Sequence, residues 1–173
     1  MSSTTSDKVC IVIGASHAGV NFAFALRREG WEGKIKLFDS DPELPYHKPP
    51  LSKSYLSAND SSQIDYLFPE SNYETDDISL SLGVKVIDID KEAKAITLED
   101  GTEQTYDILV LAVGARPFMP PISGITSASN LYPMRTIEHA IQIGNAVRDS
   151  EGRRVVIIGG GYIGLETAAS LKL

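Results

Sequence analysis

Val9-Cys10-Ile11-Val12-Ile13-Gly14-Ala15-Ser16-His17-Ala18-Gly19 decides the fold of this chain. Five apolar residues in a row, rich in Val and Ile, read as a strand buried on both faces. A glycine turn follows, and residues 20–28 show helical spacing, with Val20, Ala23, Phe24 and Arg27 along one side. Strand, glycine turn and helix in that order open a dinucleotide-binding βαβ unit. Gly14 lets the chain reverse tightly, Gly19 lets the helix lie close on the strand, and free N–H groups at the helix start meet a pyrophosphate. Ser16 stands where the middle glycine of G-x-G-x-x-G belongs. It is small enough to keep the close approach of a phosphate, and its hydroxyl can join in. Taken alone, a strand–turn–helix that binds nothing is the alternative.

A second copy near the other end changes that weight. Arg153-Arg154-Val155-Val156-Ile157-Ile158-Gly159-Gly160-Gly161-Tyr162-Ile163-Gly164-Leu165-Glu166 is again an apolar run, now with an intact G-x-G-x-x-G at Gly159, Gly161 and Gly164. It opens a helix through Thr167, Ala168 and Ala169. Two such units in one chain, each in the strand-to-helix context the motif requires, imply two dinucleotides.

The length allows one domain with a real core, or one domain plus the start of another. The chain has 173 residues, 42% hydrophobic and 23% charged, with no apolar run near the ~20 residues a membrane span needs. Residues 1–7 are a polar tail, expected to be disordered and without the apolar core of a signal peptide. One cysteine, Cys10, argues against a disulfide framework and fits the reducing cytoplasm. Its place inside the first strand points to packing rather than chemistry. A net charge of −7 disfavours nucleic acid as a partner.

Residues 34–38 alternate as a second strand, and the turn after it holds Asp39, Ser40 and Asp41. Asp39 lies 20 residues past Gly19, where a dinucleotide fold places its ribose-binding acid. For Asp41 a solvated turn carboxylate is an equal reading. Pro49-Pro50 can begin a helix, and Tyr46, Leu51, Tyr55 and Leu56 carry too much apolar surface for a solvated linker. Residues 67–78 read as loop plus a short helix, 84–89 as a strand, and 94–98 with 103–106 as a hairpin across Glu99-Asp100-Gly101-Thr102. Residues 108–113 are a fully apolar strand, 117–130 a connector, and 136–148 a helix.

In this order the motifs resemble FAD-dependent pyridine-nucleotide reductases, in the ferredoxin reductase branch with putidaredoxin and rubredoxin reductases. The likeness rests on Gly14 to Gly19, Gly30-Trp31-Glu32-Gly33, Pro49-Pro50-Leu51-Ser52-Lys53, Tyr106-Asp107 leading to Ala112-Val113-Gly114-Ala115-Arg116-Pro117, Met134-Arg135-Thr136, and Gly159 through Glu166. The resemblance implies an α/β fold: a Rossmann-like FAD-binding domain over 8–150, with a parallel sheet and a hairpin insert, then the start of a NAD(P)-binding Rossmann unit over 151–173.

It also implies roles. FAD would lie over Gly14, Ser16, His17, Ala18 and Gly19. The family's ribose-binding acid falls at Ser40, where this chain departs from the pattern and leaves Asp39 as the candidate substitute. Lys48 would stand close to the flavin ring, Val86 would offer backbone contacts to adenine, Ala112 to Gly114 would line the cofactor, and Arg116 and Arg135 would complete its surround. NADH or NADPH would sit on Gly159, Gly161, Tyr162, Ile163 and Gly164. Lys53 and Glu166 would form a buried pair at the reactive edge, the two catalytic residues. No metal is implied. The expected activity is hydride transfer from NAD(P)H to FAD and onward delivery of electrons to a ferredoxin- or rubredoxin-like iron–sulfur carrier. Alternatives are an NAD(P)H oxidase, a redox protein like apoptosis-inducing factor, or an inactive truncated fragment. The stretch Pro50-Leu51-Ser52-Lys53-Ser54-Tyr55-Leu56, where relatives of the wider superfamily carry redox cysteines, has none. A dithiol mechanism is therefore not expected.

Overall fold

A computed structural model describes residues 5–58, 63–152 and 154–172. Residues 1–4 of the expected tail, Arg153 of the second glycine unit and Leu173 lie outside the described residues. Thr5–Asp7 form one 3-10 turn. Contacts divide the chain into two units: residues 1–46 with 66–114, and residues 47–65 with 115–173.

The first unit is built on a parallel sheet of order β3-β2-β1-β7, from β1 (Val9–Ile13), β2 (Lys34–Asp39), β3 (Ile78–Leu82) and β7 (Ile108–Leu111). Helix α1 (His17–Arg28) crosses from β1 to β2, and α2 (Glu70–Thr75) precedes β3. Strands β4 (Val86–Asp90), β5 (Ala95–Leu98) and β6 (Glu103–Thr105) form a separate antiparallel sheet.

The alternation of side chains along β1 explains why all of its central residues are apolar. Cys10 and Val12 enter one core with Val20, Ala23 and Phe24 of α1 and with Ile35 and Leu37 of β2. Ile11, one residue out of phase, enters a second core with Phe38, Ile96 and Leu98. Helices cover one face of the parallel sheet and the antiparallel strands cover the other. Both faces of β1 are therefore dry, and Cys10, Ile11 and Val12 are each fully buried. Complete burial of a side chain such as Ile11 stabilises the unit by about 1.5–3 kcal/mol. Lys36 lies on the second face and meets its polar need by donating to Gln104 Oε1 at 2.7 Å.

The turns follow their local chemistry. Gly101 takes φ +85°, Asp100 Oδ1 accepts from the Thr102 N–H at 2.8 Å, and the hairpin closes as expected. That hydrogen bond holds the Asp100 carboxyl below its usual range. Asp107 joins β1 to β7 by accepting from the Val9 N–H at 2.7 Å. Arg27 donates to the carbonyls of Trp31, Gly33, Asp76 and Asp77, tying the end of α1 to the turns that precede β2 and β3.

In the second unit, Pro49–Ser52 and Ser54–Ser57 form two 3-10 turns that bury Leu51, Tyr55 and Leu56. Prolines at the first two positions begin the first turn, as their missing N–H groups allow. Helix α3 (Ile137–Asp149) starts at Thr136, whose hydroxyl accepts from the His139 N–H while His139 Nδ1 accepts from the Thr136 N–H. Its buried face carries Ile137, Ala140, Ile143 and Gly144. A side chain at Gly144 would strike the Leu56 carbonyl, so this glycine permits the close packing of α3 on the second 3-10 turn.

Helix α4 (Tyr162–Leu171) forms as expected, but the strand expected before it does not. Val155, Val156, Ile157 and Ile158 have no ladder partner among the described residues, and Val156 is 87% exposed. Apolar periodicity encodes a tendency to be buried. A strand also needs a neighbour to take its N–H and C=O groups.

Candidate functional site

The first glycine turn is shaped by three close approaches. Gly14 adopts φ +103°, a conformation costly for other residues. A Cβ there would collide with the Ala112 carbonyl, so the turn lies directly against the segment Ala112 to Gly114. Its N–H donates to the Phe38 carbonyl at 2.8 Å. A Cβ on Gly19 would collide with the Gly14 carbonyl and come within 3.2 Å of Val12, so α1 rests on β1 at backbone distance.

Ser16 is the N-cap residue of α1, extended at φ −111°, and its hydroxyl makes no capping bond. The helix thus begins at His17, three residues before the position expected from side-chain periodicity. Ala18 is exposed in its first turn, and the first intrahelical bond runs from Val20 N–H to the Ser16 carbonyl at 2.9 Å. N–H groups ahead of that bond, with the positive end of the helix, form a seat for an anion.

Asp39 is turned inward. Its Oδ2 accepts from the Ala15 N–H at 2.6 Å and its Oδ1 from the Asp41 N–H at 2.9 Å. The carboxylate therefore pins the glycine turn to the end of β2. Ser40, the next residue, is exposed. Asp41 belongs to the same turn: its Oδ1 accepts from the Glu43 N–H at 3.2 Å and its Oδ2 from the Tyr46 hydroxyl at 3.3 Å. Val86 begins β4 opposite Leu98.

The second glycine turn repeats the first. Gly159 has φ +115°, Gly161 is the N-cap of α4, and Leu165 N–H donates to the Gly161 carbonyl at 3.0 Å. A Cβ on Gly164 would collide with the Gly159 carbonyl and approach Ile157 to 3.3 Å, matching Gly19 against Gly14 and Val12. That helix-to-turn approach forms although residues 155–158 are unpaired, whereas Gly159 itself faces open space and lacks the neighbouring backbone that Gly14 meets at Ala112. Tyr162 is 89% exposed and Ile163 56% exposed at the start of α4.

Lys53 and Glu166, 113 residues apart, meet within the second unit. Lys53 Nζ lies 2.7 Å from Glu166 Oε2 and 3.1 Å from the Pro49 carbonyl. The same Oε2 accepts from Ser52 Oγ at 2.6 Å, and Ser170 Oγ donates to the Ser52 carbonyl at 2.9 Å. Hydrogen bonds from Lys53 first and Ser52 second hold the Glu166 carboxyl below its usual range. Burial is where the structure departs from expectation: the two side chains are 50% and 39% exposed. The half-open pair forms because Lys53 ends a surface turn and Glu166 sits on the first turns of α4, beside exposed Tyr162 and Leu165.

The remaining candidates lie in the second unit. Lys48 is half-buried just before the first 3-10 turn, whereas Arg116 and Arg135 are exposed on the segments flanking the connector. Ser52, buried at 5% exposure, is the site residue that sequence reasoning passed over. Its only signal was membership of the Pro-Pro-Leu-Ser-Lys motif.

Both cradles fit a dinucleotide: in each a glycine lets the helix rest on the turn at backbone distance, and each ends in helix N–H groups free of side-chain caps. Among the described residues no helix is long and apolar enough to cross a membrane.

The pyridine nucleotide-disulphide oxidoreductase family matches residues 8–173. Putidaredoxin reductase of Pseudomonas putida is 40% identical over 162 residues, covering 92% of this chain and 38% of that protein. The rubredoxin-NAD(+) reductase of Pseudomonas putida is 37% identical over 160 residues, covering 92% and 41%. Among solved structures, the putidaredoxin reductase in its covalent complex with putidaredoxin superposes with a TM-score of 0.87 at 38% identity, over 96% of this chain and 40% of that one. The ferredoxin reductase for the CYP199A2 system from Rhodopseudomonas palustris gives 0.88 at 34%, over 96% and 40%. The chain thus spans about two-fifths of the length of the curated relatives it matches.

Proposed function

Given that the chain belongs to the pyridine nucleotide-disulphide oxidoreductase family, we propose that it is part of an FAD-dependent NAD(P)H reductase serving a ferredoxin- or rubredoxin-like iron–sulfur carrier. Residues 8–150 are its FAD-binding domain and 151–173 the start of its NAD(P)-binding domain. The observation that carries this reading is the repeated cradle, Gly14 to Gly19 and Gly159 to Gly164, in each of which the last glycine packs on the carbonyl of the first.

Gly14, Ser16, Ala18 and Gly19 hold the FAD pyrophosphate, with the Ser16 hydroxyl available to it. Asp39 fixes the turn, and Ser40 faces the ribose. Gly159, Gly161 and Gly164 hold the NAD(P)H pyrophosphate, with Tyr162 and Ile163 at its edge. FAD, when bound, supplies the two-electron exchange with the nicotinamide and the single-electron steps that an iron–sulfur carrier requires. The protein's part is alignment and charge. Lys53 presents an ammonium at the reacting edge, and Glu166 presents a carboxylate whose charged form the hydrogen bonds from Lys53 and Ser52 favour.

A protein dithiol has no place in this scheme. Cys10, the one cysteine of the chain, is buried in β1, and burial pushes its thiol up to about 11. Its reduced state in a cytoplasmic protein suits that packing role. Visible absorption of the whole protein after addition of FAD and gel filtration tests the reading. Flavin bands that bleach with NADH or NADPH and recover on adding an oxidised iron–sulfur carrier are expected, and a colourless protein refutes it.

A further inference from the structure

Ser52 has more to do than either glycine turn or the ion pair explains. It ends the 3-10 turn Pro49–Ser52 and is only 5% exposed. A hydroxyl there is costly unless it has a partner. Its Oγ donates to Glu166 Oε2 at 2.6 Å, while its carbonyl accepts from Ser170 Oγ at 2.9 Å. Glu166 and Ser170 are four residues apart and share one face of α4. A single residue therefore grips two successive turns of the helix. One contact would leave α4 free to rotate about its axis; two contacts a turn apart fix its rotation and its position along the axis.

Lys53 cannot do this. Its ammonium sits on a four-carbon stem that is half exposed, and it follows a carboxylate rather than placing one. The serine hydroxyl is two bonds from a buried backbone and has one proton to give. Both donors to the carboxylate, Ser52 Oγ and Lys53 Nζ, converge on Oε2. Among the described residues Oε1 receives no hydrogen bond.

We propose that Ser52 is a positioning residue for Glu166: the hydroxyl commits Oε2 to the protein and leaves Oε1 as the acceptor presented to a bound ligand. The inference rests on the reading that Lys53 and Glu166 serve the exchange with the nicotinamide. It extends that reading to a residue that acts through the carboxylate.

The test uses the whole protein loaded with FAD, comparing wild type with S52A, S52T, E166Q and the double variant S52A/E166Q. The first readout needs no turnover: titration of the Glu166 carboxyl by carbon-13 NMR, its resonance identified by loss in E166Q. The midpoint rises in S52A and returns in S52T, since Lys53 is kept in every variant and only the hydroxyl changes. The second is the rate of flavin reduction by NADH. S52A slows it by about tenfold, the scale of one charge-assisted hydrogen bond; S52T restores it, and S52A adds no further slowing in the E166Q background.

An unshifted carboxyl titration in S52A overturns the proposal. So does slowing by S52A that persists in full in E166Q, which would mark a general structural support. E166Q at the wild-type rate defeats instead the role given to the ion pair, while the titration still decides whether Ser52 holds the carboxylate. S52C, which keeps the volume with a weaker donor, takes the place of S52A if the alanine variant does not fold.

Discussion

Removing the Asp39 carboxylate separates two roles that its position in sequence leaves indistinguishable. In the structure this side chain accepts from the N–H of Ala15 at 2.6 Å and of Asp41 at 2.9 Å. Ala15 is 5% exposed, so in Asp39→Ala its N–H loses its partner with little access to water. Asp41 is half-exposed, and solvent can replace the second bond. Counting only the first, a buried donor left unsatisfied after loss of a charged acceptor costs about 2–3 kcal/mol. For a chain of this size each kcal/mol lowers Tm by about 2–4 °C, which gives a fall of roughly 4–12 °C. Circular dichroism melts of the 173-residue chain measure it directly, without cofactor. Asp39→Asn, which keeps one carbonyl acceptor, should lose about half as much. A melting temperature within about 1 °C of wild type in Asp39→Ala, together with weakened FAD binding, would refute the clamp and return Asp39 to the ribose.

The two cradles should fail independently. In the whole protein Gly19→Ala pushes a methyl into the Gly14 carbonyl and weakens FAD binding, whereas Gly164→Ala does the same at Gly159 and weakens NAD(P)H binding. Overpacking of about 1–3 kcal/mol corresponds to roughly 5- to 150-fold in each Kd, read by flavin fluorescence and by nucleotide titration. Arg27→Ala strips the hydrogen bonds to four carbonyls that join α1 to the turns before β2 and β3, and costs about 2–4 kcal/mol in urea unfolding. Ile96→Ala opens a cavity in the core between the parallel sheet and the antiparallel strands, at about 2–5 kcal/mol in the same assay. Because the folded state lowers the Glu166 pKa, the stability this contributes is complete above the ordinary glutamate range and is lost as pH falls through the lowered value. The difference between wild type and Glu166→Gln in unfolding should therefore shrink on acidification, and Lys53→Ala should remove most of it.

What the sequence makes legible is what period and glycine spacing encode. Cys10, Ile11 and Val12 announce a strand covered on both faces, and the structure divides them between two cores as alternation requires. Asp100-Gly101 specifies its own turn. Gly14 and Gly19 specify contacts that no side chain would permit. Side-chain direction is a different matter. Asp39 stands 20 residues past Gly19 whether its carboxylate faces a ribose or the Ala15 N–H, and only the fold shows that it faces the N–H. The start of α1 was hidden because periodicity begins at the first buried residue, while the helix begins one residue after its cap, Ser16. Residues 155–158 carry the strand pattern without a strand, because pattern cannot supply a partner. Lys53 and Glu166 were joined by family resemblance, but neither their exposure nor the serine that holds the carboxylate can be read from a motif.

Lys53, paired with Glu166 at 2.7 Å, is the residue on which the proposed exchange between nicotinamide and flavin most directly rests. Stopped-flow bleaching of FAD by NADH or NADPH in the whole protein, wild type against Lys53→Ala, measures it. The expected result is flavin reduction slowed far more than FAD retention is weakened, since the proposal gives the ammonium to the reacting edge and cofactor binding to the first glycine turn. Reduction at the wild-type rate in Lys53→Ala would make the pair a surface contact and contradict the account.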